Sequence, residues 1–440
     1  MKKNSLRVLL GLMMALVLVL VACAPTDNSA DSGGADANNV TPNDDASNDN
    51  NNDDASEDAQ PSGFVQGVTD DAIYFANSTA VSGALAVVGV PFQAGMNAYI
   101  EMINSQGGVH GRQLRYIHVD DEFQPGPAVA ALERFIYDDE VFALVGHFGS
   151  VPIGATLPII IENGIPTVYF AAGIGDVYNE NATDGNGRNT FPVQPVFPME
   201  ARIFAAWAAG EFEAQRIGII YTNDDVGLDF LSGLTQEADA IGGLEIVAAQ
   251  VEPNVEDVTA AVATIMEGDV DIVVVGAIQG TFPQIVRGLA AQGNTSPVLA
   301  SYVNADILMS QMVASDVGDQ FDVFASAWVE MDNDNMALYR EWVAQVSSED
   351  LSNNSFAMTG WIAMHFFVEG LERAGVNLTW QSFIEAMESA PIQNPFGPAI
   401  DFANGNRVGT QDLALVRLNA DAEAGWEGFL PFMSIEEILN

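Results

Sequence analysis

The stretch Phe142-Ala143-Leu144-Val145-Gly146-His147-Phe148-Gly149-Ser150-Val151-Pro152 runs from an apolar segment through small residues into sequence that suits a helix. Phe142 to Val145 is short and lacks polar alternation, as expected of a strand covered on both faces. Ser150 suits a helix N-cap, and Pro152 suits the first helical turn, where its missing N–H costs nothing. A strand that gives way to a helix like this aims free backbone N–H groups and the positive helix end at one spot, a setting for a carboxylate. Two readings of Ser150 stay open: it caps its own helix, or its hydroxyl meets a ligand. The next apolar run, Ile165 to Phe170, also ends in small residues, Ala171-Ala172-Gly173, which allow close approach to the main chain. Two such strand ends side by side form one wall of a cleft.

The same unit recurs along the chain. Apolar runs stand at Ile73-Tyr74-Phe75, Leu114 to Val119, Ile217 to Tyr221, Leu244 to Val251, Ile272 to Val275 and Val323 to Ala325. Helical spacing lies between them, as in Val129, Leu132, Ile136 or Trp361, Met364, Val368, Leu371. Strands alternating with crossover-length helices give an α/β class with parallel sheets covered on both faces. Pro91 is expected in the first turn of a helix reaching Asn104, and Gly107-Gly108 supplies its stop. Asn377 or Thr379 caps a segment from Trp380 to Glu388. The aperiodic loop Asp176 to Asn189 covers an edge or a cleft mouth, and Pro192, Pro195 and Pro198 mark a connection, read as a hinge, between two lobes.

With 14 basic and 60 acidic residues among 440, the net charge of −46 repels phosphate backbones and excludes nucleic-acid binding. A hydrophobic fraction of 48% still supplies a large core. The one cysteine, Cys23, rules out a disulfide framework, and the four scattered histidines indicate no metal. Lys2, Lys3 and Arg7 precede the apolar run Val8 to Val21, which is shorter than a membrane span and reads as a signal peptide. Its end, Leu20-Val21-Ala22-Cys23, resembles the lipobox of bacterial lipoproteins, which implies lipidation of Cys23 and cleavage before it. From Ala24 to about Ser62, Asp, Asn, Ser, Ala and Gly dominate, the composition of an unfolded acidic tether.

Enzyme signals are missing from this sequence. No G-x-S-x-G, Walker A or H-E-x-x-H pattern occurs, and Gly173-Ile174-Gly175 lacks the third glycine of a dinucleotide fingerprint. Asp120-Asp121-Glu122 reads as a solvated strand end rather than an acid/base pair. His147 has no Ser-Asp partner set, so it reads as positional, and His365 reads as packed on an apolar helix face.

The stretches Ser82-Gly83, Ile103-Asn104, Gly107-Gly108-Val109-His110-Gly111-Arg112, Asp120-Asp121, Leu144-Val145-Gly146 and Glu162-Asn163-Gly164-Ile165-Pro166 resemble periplasmic binding proteins of fold type I. So do Ile217-Gly218-Ile219 with Gly227, Asp271 to Gly276, Gln284 to Arg287, Leu371 to Gly375 and Gly397 to Phe402. Specifically, the chain resembles the leucine/isoleucine/valine-binding branch that serves ABC importers, from about Ile73 to about Asn419. That resemblance implies two Rossmann-like lobes joined by a three-segment hinge, with a small molecule trapped between them. It places a ligand carboxylate on Ser150 and on the main chain around Ala171, Ala172 and Gly173. Gly173 stands where the family has a threonine, Val226 and Ile278 where it has tyrosines, and Tyr302 where amino-acid binders carry an acid. A desolvated ligand ammonium would be left unpaired unless Asp224, Asp225 or Glu330 met it, at a cost of several kcal/mol. A carboxylate, amide or aromatic compound with an apolar body is therefore expected against Val226, Ile278, Gln279 and Tyr302.

The expected organisation is a leader at 1–22, a tether at 23–68, an N-terminal lobe at 69–193 and 329–395, and a C-terminal lobe at 194–328 and 396–440. The expected role is a monomeric, lipid-anchored extracytoplasmic receptor, without cofactor, that delivers its ligand to an ABC transporter permease. The alternative is a ligand-sensing input to a receptor kinase or chemoreceptor.

Overall fold

The computed structural model describes residues 65–83, 85–330 and 333–440. The segments read from the sequence as a signal peptide, a lipidation site at Cys23 and a tether lie, up to residue 64, outside the described residues. Residues 65–68, expected in the tether, already pack on the fold: the Gln66 side chain donates to Val141 O at 3.0 Å, and the Tyr74 N–H donates to Gly67 O at 2.8 Å.

The first third of the fold runs β1 (Ala72–Ser78), α1 (Ala86–Ser105), β2 (Gln113–Val119), α2 (Pro125–Tyr137), β3 (Ala143–Phe148), α3 (Ser150–Asn163), β4 (Thr167–Ala171) and β5 (Thr190–Phe191). These five strands form a parallel sheet in the order β2-β1-β3-β4-β5. The chain then passes to a second sheet through α4 (Phe197–Gly210), β6 (Arg216–Thr222), α5 (Asp225–Ile241), β7 (Glu245–Val251), α6 (Thr259–Glu267), β8 (Ile272–Gly276), α7 (Thr281–Ala291), β9 (Val298–Ala300), α8 (Ile307–Val317) and β10 (Val323–Ala327). It returns to the first sheet as α9 (Met336–Val346), α10 (Ser355–Ala374) and α11 (Trp380–Met387). Last, it crosses back as β11 (Asp412–Leu418), β12 (Trp426–Ser434) and α12 (Ile435–Leu439).

The expected strand runs coincide with β1–β4, β6–β8 and β10, and the class is α/β. One expectation needs correcting, because the second sheet is mixed. Its order is β12-β11-β10-β9-β8-β6-β7, with β11 and β12 antiparallel. β12 carries Gly428 and Pro431, which a central strand would not tolerate but an edge strand does. A second correction concerns α1, which starts at Ala86 and so holds Pro91 inside it. The carbonyl this proline leaves unbonded belongs to Val87, which is exposed and open to water.

Two devices tie the late segments to the first sheet. α10 lies on α1 at glycine contacts: a Cβ at Gly95 would sit 1.8 Å from Ala357 O, and one at Gly360 would sit 1.9 Å from Phe92 O. Only hydrogen at both positions allows that approach. Arg407, fully buried in the last passage, stacks 4.5 Å from the Phe191 ring centre and donates to Phe402 O, Arg188 O and the Glu388 carboxylate. Where the strands cross over, the Thr410 N–H donates to Val193 O at 2.8 Å and the Glu330 N–H to Phe396 O at 2.6 Å. Thr379 caps α11 in a capping box with Ser382.

Candidate functional site

The C-terminal ends of β3 and β4 face those of β8, β9 and β10 across a cavity of about 790 Å³. Of the residues expected at a site, Ser150, Ala171, Ala172, Ile278, Gln279 and Tyr302 line it. Gly173 and Val226 do not: Gly173 lies under two rings described below, and Val226 is packed in the core at the start of α5.

Ser150 differs from its expected place by one residue. Gly149, at φ 90°, is the N-cap of α3, and Ser150 is the first helical residue. A glycine there takes a backbone conformation that a serine would resist, and it fills the cap position acceptably. Ser150 is only 8% exposed, yet its hydroxyl bonds to no described residue. The N–H groups of Ser150 and Val151 precede the first intrahelical bond, which Ile153 N–H makes to Gly149 O at 2.9 Å. These two amides and the hydroxyl form a donor cluster at the positive helix end. Opposite, the Gln279 backbone sits at φ 53° with its N–H held by Asn304 Oδ1 at 3.1 Å, while its carboxamide bonds to no described residue. That places a second uncommitted polar group on the wall.

Tyr302, by contrast, is fully committed. Its hydroxyl donates to Pro195 O at 3.0 Å and accepts from Gln194 Nε2 at 2.7 Å, and Gln194 Oε1 accepts from Tyr169. The Tyr302 backbone N–H donates to Glu200 at 2.8 Å. Glu200 on α4 is buried and also accepts from Ser301 at 2.8 Å and from Ser326. Burial pushes this carboxyl up to about 7, partly offset by those three hydrogen bonds. No periodicity or motif announced Glu200; an isolated acid in Phe197-Pro198-Met199-Glu200-Ala201 at the start of a buried helix was the available sign.

Of the acids that could have met a ligand ammonium, Asp224 and Asp225 stand away from the cavity wall. Asp224 caps α5 and accepts from Gly227 N–H and the Thr222 hydroxyl. Glu330 lines the cavity but is exposed. Asp120 accepts from Val81 N–H and Glu122 N–H, and Asp121 from Phe123 N–H, so this pair shapes a turn. His147 is buried against Thr156 at 2.7 Å, and burial pushes it down to about 4. His365 packs edge-on to Tyr99 and contacts Gln393 O. Neither histidine reaches the cavity.

Contacts at both edges hold the two sheets' lobes together over the cavity. At one edge Gly175 N–H donates to Asp229 on α5 at 2.8 Å; burial first, then Asp176 and Asp225, push Asp229 up to about 6. At the other edge Ser355, at the start of α10, donates to Asp306 at 2.7 Å, and Arg340 on α9 pairs with Glu423 at 3.1 Å.

A family model for periplasmic binding proteins matches residues 72–423. A Leu/Ile/Val-binding protein homolog 1 from Brucella abortus is 22% identical over 320 residues, which cover 72% of this chain and 82% of that protein. Among solved structures, a fatty acid ABC transporter substrate-binding protein from Thermomonospora curvata superposes with a TM-score of 0.72 at 20% identity, covering 86% of this chain and 97% of that one. A branched chain amino acid ABC transporter protein from Thermus thermophilus with bound valine gives a TM-score of 0.73 at 15% identity, covering 84% and 98%. With the family model spanning most of the folded chain and a cleft built for holding rather than reacting, this chain belongs to the periplasmic binding protein family, as a non-enzymatic extracytoplasmic binding protein.

Proposed function

We propose that this protein is the substrate-binding component of an ABC importer, lipid-anchored through Cys23, and that it closes on a small molecule with a carboxylate or amide end and an apolar body. The observation that carries the ligand reading is the Ser150 hydroxyl, which opens onto the cavity without a protein partner, beside two free amides at the start of α3. Once a ligand displaces water from the cleft, that hydroxyl and those amides keep their bonds only if the ligand supplies the acceptors. Relatives of this fold named for ABC transport support the importer role, and their cargoes range from valine to fatty acid. Within that range the wall favours a ligand without an ammonium, because the buried acid nearest to Tyr302 is Glu200 and its oxygens are already bonded.

Closure follows from differential contact. A ligand that bridges the α3 donors and the Gln279 carboxamide binds the shut lobes better than the open ones and shifts the equilibrium by that difference. The test is Ser150→Ala with a calorimetric panel of carboxylates, amides and amino acids. Carboxylate affinity should fall by about 1.5–3 kcal/mol, the worth of a hydrogen bond to a charged group. Unchanged affinity for every carboxylate that binds would remove Ser150 from the site.

A further inference from the structure

Resting on the carboxylate reading above, we propose that the cargo is an aryl carboxylate: its carboxylate meets the α3 donors, its ring stands within about one to three bonds of that group, and Phe123 is the side chain that selects for the ring.

The rings of this cleft form a continuous series. Phe148, which ends β3, lies 5.6 Å from Phe92 on α1, centre to centre, and Phe92 lies 6.0 Å from Tyr169 on β4. Tyr169 lies 6.4 Å from Trp328 after β10, Trp328 lies 6.5 Å from Tyr302, and Tyr302 lies 6.1 Å from Phe197 at the start of α4. All six are buried, and all but Tyr169 line the cavity. The series passes from one lobe to the other, and Gln194 fixes its middle by bonding to the hydroxyls of both Tyr169 and Tyr302. Both of its ends return to the carboxylate wall. Phe148 stands just before Gly149 and Ser150, and a Cβ at Gly173 would lie 2.8 Å from Phe197 and 2.9 Å from Tyr302. Phe148 and Ala171 are paired neighbours on β3 and β4, so the two ends share that wall. A ligand held there has its first atoms beyond the carboxylate among rings.

Phe123 adds a further ring at the donors themselves. It belongs to the turn after β2, where Glu122 at φ 52° and Phe123 at φ 60° both take a left-handed backbone that L side chains resist. Asp120 and Asp121 hold that turn by accepting from the Glu122 and Phe123 N–H groups at 3.0 and 2.9 Å. The turn lays the Phe123 ring on Gly149, where any Cβ would collide with it. Unlike the six buried rings, Phe123 is only half-buried, and it lines the cavity beside Ser150. Rings attract one another edge to face or offset, beyond what their buried area contributes. With one such contact to Phe123 and one to the buried series, an aryl acid should bind roughly 5- to 150-fold more tightly than its saturated-ring counterpart. Burial alone predicts the reverse, since the saturated ring carries more apolar surface.

The test titrates phenylacetate and phenylpropionate calorimetrically against cyclohexylacetate and cyclohexylpropionate. Each aryl acid should exceed its saturated partner by that factor. Phe123→Leu should narrow the aryl preference by roughly 2- to 10-fold, Phe123→Tyr, which keeps the ring, should retain it, and Ser150→Ala should weaken aryl and saturated acids by one common factor. Saturated acids that bind the parent as tightly as the aryl ones overturn the aromatic cargo and leave the carboxylate site standing. An undiminished preference in a Phe123→Leu variant that melts like the parent, or a preference lost in Phe123→Tyr, overturns Phe123 as the selecting side chain. Binding of no acid by the parent overturns the carboxylate reading itself.

Discussion

Gly173→Thr restores the residue that the family resemblance would place after β4, and the geometry says the restoration should damage binding. A Cβ at 173 would lie 2.8 Å from Phe197 and 2.9 Å from the Tyr302 hydroxyl, both from the opposite lobe. The backbone at 173 has no positive φ, so the obstacle is space alone. Tyr302 has little freedom to withdraw. Its ring stacks on Phe197 and meets Trp328 edge-on, and its hydroxyl is held by Gln194 and Pro195. Moving it leaves a buried donor or acceptor unpaired, at about 1–3 kcal/mol, and overpacking the rings adds about 1 kcal/mol, so about 2–4 kcal/mol is expected in all. Each lobe can still fold around the threonine, so the cost falls on bringing the lobes together. The closed population, and with it ligand affinity, should drop roughly 30- to 700-fold. Calorimetry gives the affinity, small-angle scattering the loss of closure, and the melting temperature should move little. A variant that binds its ligand as tightly as the parent, or that newly binds valine, would refute the reasoning.

Two further outcomes follow. Glu200 has an ordinary carboxyl value of 4.5 and is held up to about 7 in the fold, so the native state binds the extra proton between those values. Stability is therefore greatest below about pH 4.5 as far as this group is concerned, and it falls by about 3 kcal/mol as pH rises through 7. Denaturant titrations of the parent and of Glu200→Gln at pH 5 and 8 should show that decline in the parent and a flatter profile in the variant; equal slopes would remove Glu200 as its cause. Cys23→Ser should move the protein from the membrane fraction to the soluble one, since acyl chains at ~0.8 kcal/mol per methylene are the proposed anchor, and unchanged retention would reject it.

The sequence announced the repeated unit because each inner strand is buried on both faces and each helix shows one apolar stripe. It concealed what closes the second sheet. β9 spans only Val298–Ala300, and β12 carries a glycine and a proline, so local pattern opposed the pairing that tertiary contact enforces. The donor cluster at the start of α3 was legible because Gly149, Ser150 and Pro152 fall within four residues and each has a backbone reason to be at a helix start. The assignment still slipped by one residue, because glycine and serine compete for the same cap and only the φ of 90° decides between them. Val226 aligned with a binding position yet is turned into the core, and Glu200 went unnoticed. A residue's bearing depends on how α4 and α5 pack, which no short window encodes.

Selectivity in this cleft is argued best from its ionisable groups. Glu330, Arg340 and Glu423 are the charged residues on the wall. Arg340 and Glu423 bond to each other, and Glu330 is exposed. A zwitterion brought between the lobes would find neutral donors for its carboxylate and no desolvated acid for its ammonium, a deficit of several kcal/mol that an uncharged alkyl body does not suffer. A monocarboxylate meets the opposite balance. Its charge is spread over amides at a helix start, which need no counter-ion and suffer no competing bond, while each methylene that follows gains by leaving water. In a chain of net charge −46, anion capture by fixed dipoles also avoids drawing Arg340, the cation on the wall, away from the Glu423 carboxylate that it pairs with across the cleft.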